Sequence, residues 1–145
     1  MNPTLDWLKG QSLINVEKKD FTWGFSFAQS GSIVTESFWR LVTIERLAVA
    51  SEDHDQLFGL QEPVDAAKRV MALVGSKKII NYSYSEVCSD LILRFEDKKQ
   101  LQFLNSSGGY ESWRATNNNV QVVCAGGGRL SEFNLVGHEW IRVNL

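Results

Sequence analysis

"TESFWRL" at residues 35–41 and "GGYESWR" at residues 108–114 place Glu, Ser, an aromatic residue and a Trp-Arg pair twice in one chain. In a strand, residues two apart share a face. Glu36, Phe38 and Arg40 then face one way with Trp39 opposite, while Glu111 and Trp113 face one way with Arg114 opposite. Superposing the glutamates puts the Trp-Arg pairs out of step, and a β-bulge in one arm would restore the match. The phrase stands at one place in each half, in the second arm of a hairpin that follows "WGFSF" (23–27) or "LILRF" (91–95). Such self-similarity predicts a doubled β unit. Its halves run from about 12–61 and 77–145 around a central helix at about 62–75, in a single domain, 1–145.

The flanking sequence supports strands. In "FTWGFSF" (21–27), Phe21, Trp23, Phe25 and Phe27 alternate with small or polar residues, the period of a half-buried strand. "AQSGS" is a turn in which Gly31 can take positive φ. "IVTESFWRLVTI" follows as one strand, and "ERLAVAS" extends it or forms another. Strand signals return in "KKIINYSYSEV", "SDLILRFED", "KKQLQFLNSS", "GGYESWRAT", "VQVVCAG", "GGGRLSEFNL" and "EWIRVNL". The asparagines at 117–119 suit a tight hairpin, because Asn tolerates the left-handed region. Gly126 to Gly128 reads as a turn. Thr4 to Lys9 reads as one helical turn ended by Gly10.

"EPVDAAKRVMALVG" is the helical stretch. Pro63 suits the first helical position and Asp65 the first turn. Val64, Ala67, Val70, Met71 and Val74 recur at three-and-four spacing, and Gly75 is a C-terminal stop. The expected fold is α+β: a mainly antiparallel β-sheet of two related hairpin units packed against one central α-helix.

A formal net charge of -2 gives no basic field for a nucleic-acid backbone or an anionic membrane. The start "MNPTLDWLKG" lacks a secretory pattern, which makes the cytoplasm the expected location. Cys88 and Cys124 lie outside any metal spacing and are expected to be buried thiols in a reducing compartment.

The chemistry-bearing residues mostly have structural readings. His54 in "SEDHD" is expected in a solvated acidic loop, since no second histidine is near to complete a metal site. His138-Glu139 lacks the second histidine of a zinc-protease helix, and "AGGGRLS" lacks the lysine of a phosphate loop. Ser106 and Ser107 have no nucleophile-elbow context. No catalytic residue, cofactor or metal is assigned. Five tryptophans can be core or a partner surface. The candidate binding residues are Glu36, Trp39, Arg40, Glu111, Trp113 and Arg114, and the leading expectation is non-enzymatic protein binding. If Glu36 and Glu111 converged, they would be paired carboxylates in a cavity between sheet and helix, suited to small-molecule binding or hydrolysis. A homodimer joined along a free sheet edge is a third expectation.

The segment from Leu91 to Phe133 resembles a family of small uncharacterised bacterial proteins. The resemblance rests on the apolar strand Leu91 to Phe95, Tyr110-Glu111-Ser112-Trp113, the turn Gly126-Gly127-Gly128, and Leu130 to Phe133. "WGFSF" and "ESFWRL" match more loosely. The resemblance implies no activity. In size, acidity and style of fold such domains are similar to the immunity proteins found beside bacterial polymorphic toxins, which implies toxin neutralisation as one form of protein binding.

Overall fold

A computed structural model describes residues 2–143 of the chain. The strands are β1 (Leu13–Lys19), β2 (Thr22–Phe27), β3 (Ser32–Thr35), β4 (Trp39–Val42), β5 (Leu47–Ala50), β6 (Ile79–Tyr84), β7 (Leu91–Phe95), β8 (Gln100–Phe103), β9 (Trp113–Thr116), β10 (Val120–Ala125), β11 (Arg129–Val136) and β12 (Glu139–Arg142). One α-helix, α1 (Ala66–Val74), lies between β5 and β6. The last stretch expected as strand, "EWIRVNL", is β12 as far as Arg142; residues 144 and 145 lie outside the described residues.

All the pairings are antiparallel, but they build two sheets rather than the expected one. The first has the order β1-β2-β3-β9-β10-β11-β12 and the second β5-β4-β8-β7-β6. The reason lies in the repeated phrase. Neither copy is one continuous strand: β3 stops at Thr35 and β4 starts at Trp39, while β8 stops at Phe103 and β9 starts at Trp113. Each intervening segment leaves one sheet and enters the other. Local hydrogen bonds bend the chain there. Thr35 Oγ1 accepts from the Ser37 N–H at 2.9 Å, and Ser107 Oγ accepts from the Gly109 and Tyr110 N–H groups at 3.0 and 2.8 Å. Such side-chain bonds compete with the sheet ladder for the backbone.

The crossings also correct the alignment of the two copies. Trp39 and Trp113 each open the strand that enters the other sheet, opposite Phe103 and Thr35 respectively. The Trp-Arg pairs are therefore the equivalent residues. The extra residue is absorbed in the crossings, not by a bulge in one arm.

Further correspondences run through both sheets. Five strands of each share one order of neighbours: β1-β2-β3-β9-β10 and β6-β7-β8-β4-β5. Leu13 pairs with Phe27 and Ile79 with Phe95, and the register shifts just after each, between Leu13 and Asn15 and between Ile79 and Asn81. "LIN" and "IIN" each carry a register shift of the kind a β-bulge makes. The two sheets also touch where these strands begin, since Ile79 donates to Gln11 O at 2.8 Å and accepts from the Gly10 N–H at 2.7 Å.

Strand alternation places the core between the sheets. Trp23, Phe25 and Phe27 of β2, Ile33 of β3, Leu91, Leu93 and Phe95 of β7, and Leu101 and Phe103 of β8 are buried on one side of each strand. Aromatic edges lock its centre, with Trp23–Trp39, Phe25–Trp39 and Phe25–Phe103 centroids 5.0, 5.3 and 4.9 Å apart. Phe21, expected on the same face, sits in the turn before β2 and is 83% exposed.

The helix is shorter than its apolar spacing suggests. Asp65 is its N-cap, accepting from the Lys68 N–H at 3.0 Å, and Pro63 stands outside it. Val64 cannot be helical, because its N–H and C=O bond Gln56 and Asp55 of the preceding loop. Ala66, Val70 and Val74 seal α1 into the core beside β1 and β5. The Asn117–Asn119 turn also differs from expectation: these residues are not among those at positive φ. Asn117 Oδ1 instead accepts from the Asn118 N–H and from Ser30 Oγ.

Candidate functional site

The six candidate residues divide into three groups. Trp39 and Trp113 are core residues, 0% and 1% exposed, and present no ring to a partner. Each is the inward-facing first residue of a strand that crosses between sheets. Trp113 also stacks on Tyr84, with centroids 6.0 Å apart and planes 7° apart, and its Nε1 donates to Ser89 O at 3.0 Å. Arg40 points out from the five-stranded sheet, where Nε donates to Gln102 Oε1 at 2.7 Å. It belongs to a different surface from the remaining three.

Glu36, Glu111 and Arg114 line one surface cleft of about 170 Å³, together with Thr22, Val34, Thr35, Ser112 and an edge of Trp113. The two crossings bring the glutamates there: Glu36 follows β3, Glu111 precedes β9, and β3 and β9 are neighbours. Both carboxylates are exposed, and Thr22 Oγ1 donates to Glu36 Oε1 at 3.3 Å. Thr22, Val34 and Glu36 also border a second hollow, of about 510 Å³, lined by Glu17, Lys19, Asp20, Phe21 and Gly24. The two hollows form one groove on the outer face of the seven-stranded sheet.

Strand register explains the groove. Glu17 pairs with Gly24, Gly24 with Val34, and Val34 with Arg114, so these four residues form one row across β1, β2, β3 and β9. Directly paired residues share a face. Charged side chains stand at the two ends of the row, and the middle holds a valine and a glycine with no side chain. A methyl group on Gly24 would meet Glu17 Cγ at 3.9 Å, an ordinary contact. Neither backbone angle nor crowding therefore requires glycine here. Its effect is to leave the floor open.

The groove carries Glu17, Asp20, Glu36 and Glu111 against Lys19 and Arg114, with Phe21 exposed at one side. It can take cationic groups at several points and one anionic group at Arg114. Gly24, Val34 and Phe21 were not candidates from sequence. The one available signal was a glycine interrupting the outward positions of an otherwise regular aromatic strand.

Two other expectations change. His54 is half-buried rather than solvated: Nδ1 accepts from the Ala66 N–H at 3.1 Å, and the ring meets Trp23 edge-on at 5.1 Å. Cys88 is exposed and only Cys124 is buried. Among the described residues, no three His, Cys, Asp or Glu side chains group as a metal site would require, and no helix is long and apolar enough to cross a membrane. Comparison with family models, with curated proteins and with solved structures found no match for this chain.

Proposed function

We propose that the chain is a non-enzymatic protein-binding module whose halves are copies of one hairpin unit. It lays an extended, net-basic segment of its partner along the row Glu17, Gly24, Val34 and Arg114. The observation that carries this reading is the missing side chain at Gly24. A strand position that favours a β-branched residue is left empty in the middle of a charged row. Four carboxylates against two cations favour a basic segment, and opposite charge steers its approach. The resemblance to small bacterial domains supports a toxin held inactive as one such partner. The groove is open and its carboxylates are solvated, which suits recognition better than a chemical step that needs excluded water.

The test is capture of partners from the cell of origin, read by native mass spectrometry, with the unaltered chain beside Gly24→Val and the double variant Glu36→Lys, Glu111→Lys. The expected result is a stoichiometric protein partner that both variants lose, while Gly24→Val melts no lower than the parent. A lone chain carrying a small adduct that Gly24→Val displaces would overturn the reading in favour of a small-molecule site.

One observation favours self-association as a second reading. β12 ends the seven-stranded sheet among the described residues, and all four of its residues are exposed. Val143 N–H bonds Glu132 O at 2.7 Å, and hydrogen-bonded pairs alternate along an antiparallel ladder. The N–H and C=O groups of Trp140 and Arg142 therefore point to the outer edge. A second copy paired about Ile141 would set Trp140 of one chain opposite Arg142 of the other, a cation–π pair repeated by symmetry. Trp140→Pro blocks that edge without removing a bond to β11, so light scattering should show a dimer that this variant abolishes. A monomer at every concentration would remove this reading.

A further inference from the structure

The loop between β5 and α1 ends in a tip whose residues oppose the conformation they adopt. In Leu57-Phe58-Gly59-Leu60, Phe58 has φ 48° and Gly59 φ 78°, and the Leu60 N–H bonds Leu57 O at 2.8 Å. Positive φ at both central positions is the pattern of a type I′ turn, which favours Asn-Gly and strains a bulky side chain. Phe58 is the aromatic residue among the described non-glycine residues at positive φ; the others are Asp20, Asp55, Val87, Ser89 and Lys98. The strain gains no burial. Phe58 is 66% exposed, and Leu57 and Leu60 beside it are 53% and 49% exposed.

The base of the loop is fixed. Asp55 N–H bonds Val64 O at 2.8 Å, Val64 N–H bonds Gln56 O at 2.9 Å, and Val64 is buried. Just before this stem, His54 is held by Ala66 and Trp23. The tip is thus presented on a rigid support. Residues 51–65 contain Glu52, Asp53, Asp55, Glu62 and Asp65, in a chain whose whole net charge is -2, and the cations beside the tip are Lys68 and Arg69 of α1, which line a hollow with Leu60 and Glu62.

We infer that the turn Leu57–Leu60 is a docking knob that seats Phe58 in an apolar pocket rimmed by Lys and Arg on a partner protein. Backbone strain kept at an exposed position marks a function that outweighs stability. An aromatic anchor on a rigid support loses little conformational freedom on binding. The loop's carboxylates outnumber Lys68 and Arg69 beside them, and this acidic excess selects the rim of the pocket by charge and disfavours both an anionic membrane and the same acidic loop of a second copy. The knob shares no residue with the groove that holds Gly24.

The test is to place the photo-crosslinking residue p-benzoylphenylalanine at position 58 in the cell of origin, irradiate, and sequence the adducts. The expected adduct is to a second protein, at apolar residues flanked by Lys or Arg. With that protein purified, Phe58→Asn should weaken binding at least tenfold while raising the melting temperature by about 2–4 °C through release of strain. Affinity should also fall as salt is raised. An adduct to the chain itself, to phospholipid or to nothing would overturn the inference. So would an unchanged affinity, or a lower melting temperature, in Phe58→Asn. Gly24→Val reports on the groove alone, so either surface can fail without the other.

Discussion

Trp39 and Trp113 hold the same place in the two sheets but differ at one atom. Trp113 Nε1 donates to Ser89 O at 3.0 Å, whereas Trp39 Nε1 is buried with no acceptor among the described residues. Replacing each by Phe removes similar volume with different polar consequences. Trp113→Phe also leaves the Ser89 carbonyl with only the weak Cys124 thiol donor at 3.7 Å, a loss of about 1–3 kcal/mol for a buried group. Trp39→Phe removes an N–H that has nothing to bond. Urea unfolding should therefore show Trp113→Phe to be the less stable variant by at least about 1 kcal/mol. Equal costs would mean that the Ser89 bond contributes nothing.

Thr35 ties the two crossings together. Its Oγ1 donates to Ser112 O at 2.5 Å and accepts from the Ser37 N–H at 2.9 Å, and both Thr35 and Ser112 are buried. Valine has the same shape but can do neither. Thr35→Val is expected to cost about 1–3 kcal/mol in a denaturant titration, because two backbone groups lose their partner. Thr43→Val, in the more open turn between β4 and β5, should cost less, although Thr43 also bonds nearby backbone.

Much of this arrangement was legible where the physical cause is local. The alternation of Trp23, Phe25 and Phe27 shows β2 and its inward face. The break inside each copy was not legible. Period two continues through "IVTESFWRLV", and only the hydrogen bond from Ser37 to Thr35 reveals that the chain leaves the sheet. Helical spacing outruns the helix for a related reason, because Val64 keeps that spacing while its backbone belongs to the loop. The repeated phrase singles out Glu36 and Glu111, but it is a non-local pairing, β3 with β9, that brings them to one groove. The Trp residues of the same phrase turn inward, which composition alone does not decide.

Gly31 should tolerate a side chain less well than Gly59, although both take positive φ. At φ 88°, a methyl group there would lie 2.5 Å from Trp7 Cζ3 and 2.9 Å from Thr116 O. Gly59, at φ 78°, has nothing within 4 Å of that point. Both Ala variants carry the strain of positive φ, but only Gly31→Ala adds a clash beneath a packed ring. Thermal melts should place Gly31→Ala below Gly59→Ala by about 1–3 kcal/mol, the cost of overpacking. Similar melting points would mean that Trp7 moves aside freely.

The two cysteines should separate by reactivity and by pH. Cys88 is exposed, and Cys124 is buried with its thiol pushed up to about 11 from an ordinary 9.0, mainly by burial and further by Asp90. An aromatic disulfide reagent should therefore label one thiol quickly in the folded chain and the second only on unfolding. The sign of the pH effect follows from the same shift. The folded state holds the Cys124 proton more tightly than the unfolded state, so the stabilising contribution is complete below pH 9 and is lost as pH rises towards 11. Burial also raises the Tyr84 hydroxyl above its usual 10.0, which steepens the alkaline fall. Urea midpoints measured from pH 8 to 11 should decline, and Cys124→Ala should start lower but decline less steeply. An identical slope in that variant would show that the thiol contributes nothing to the alkaline loss.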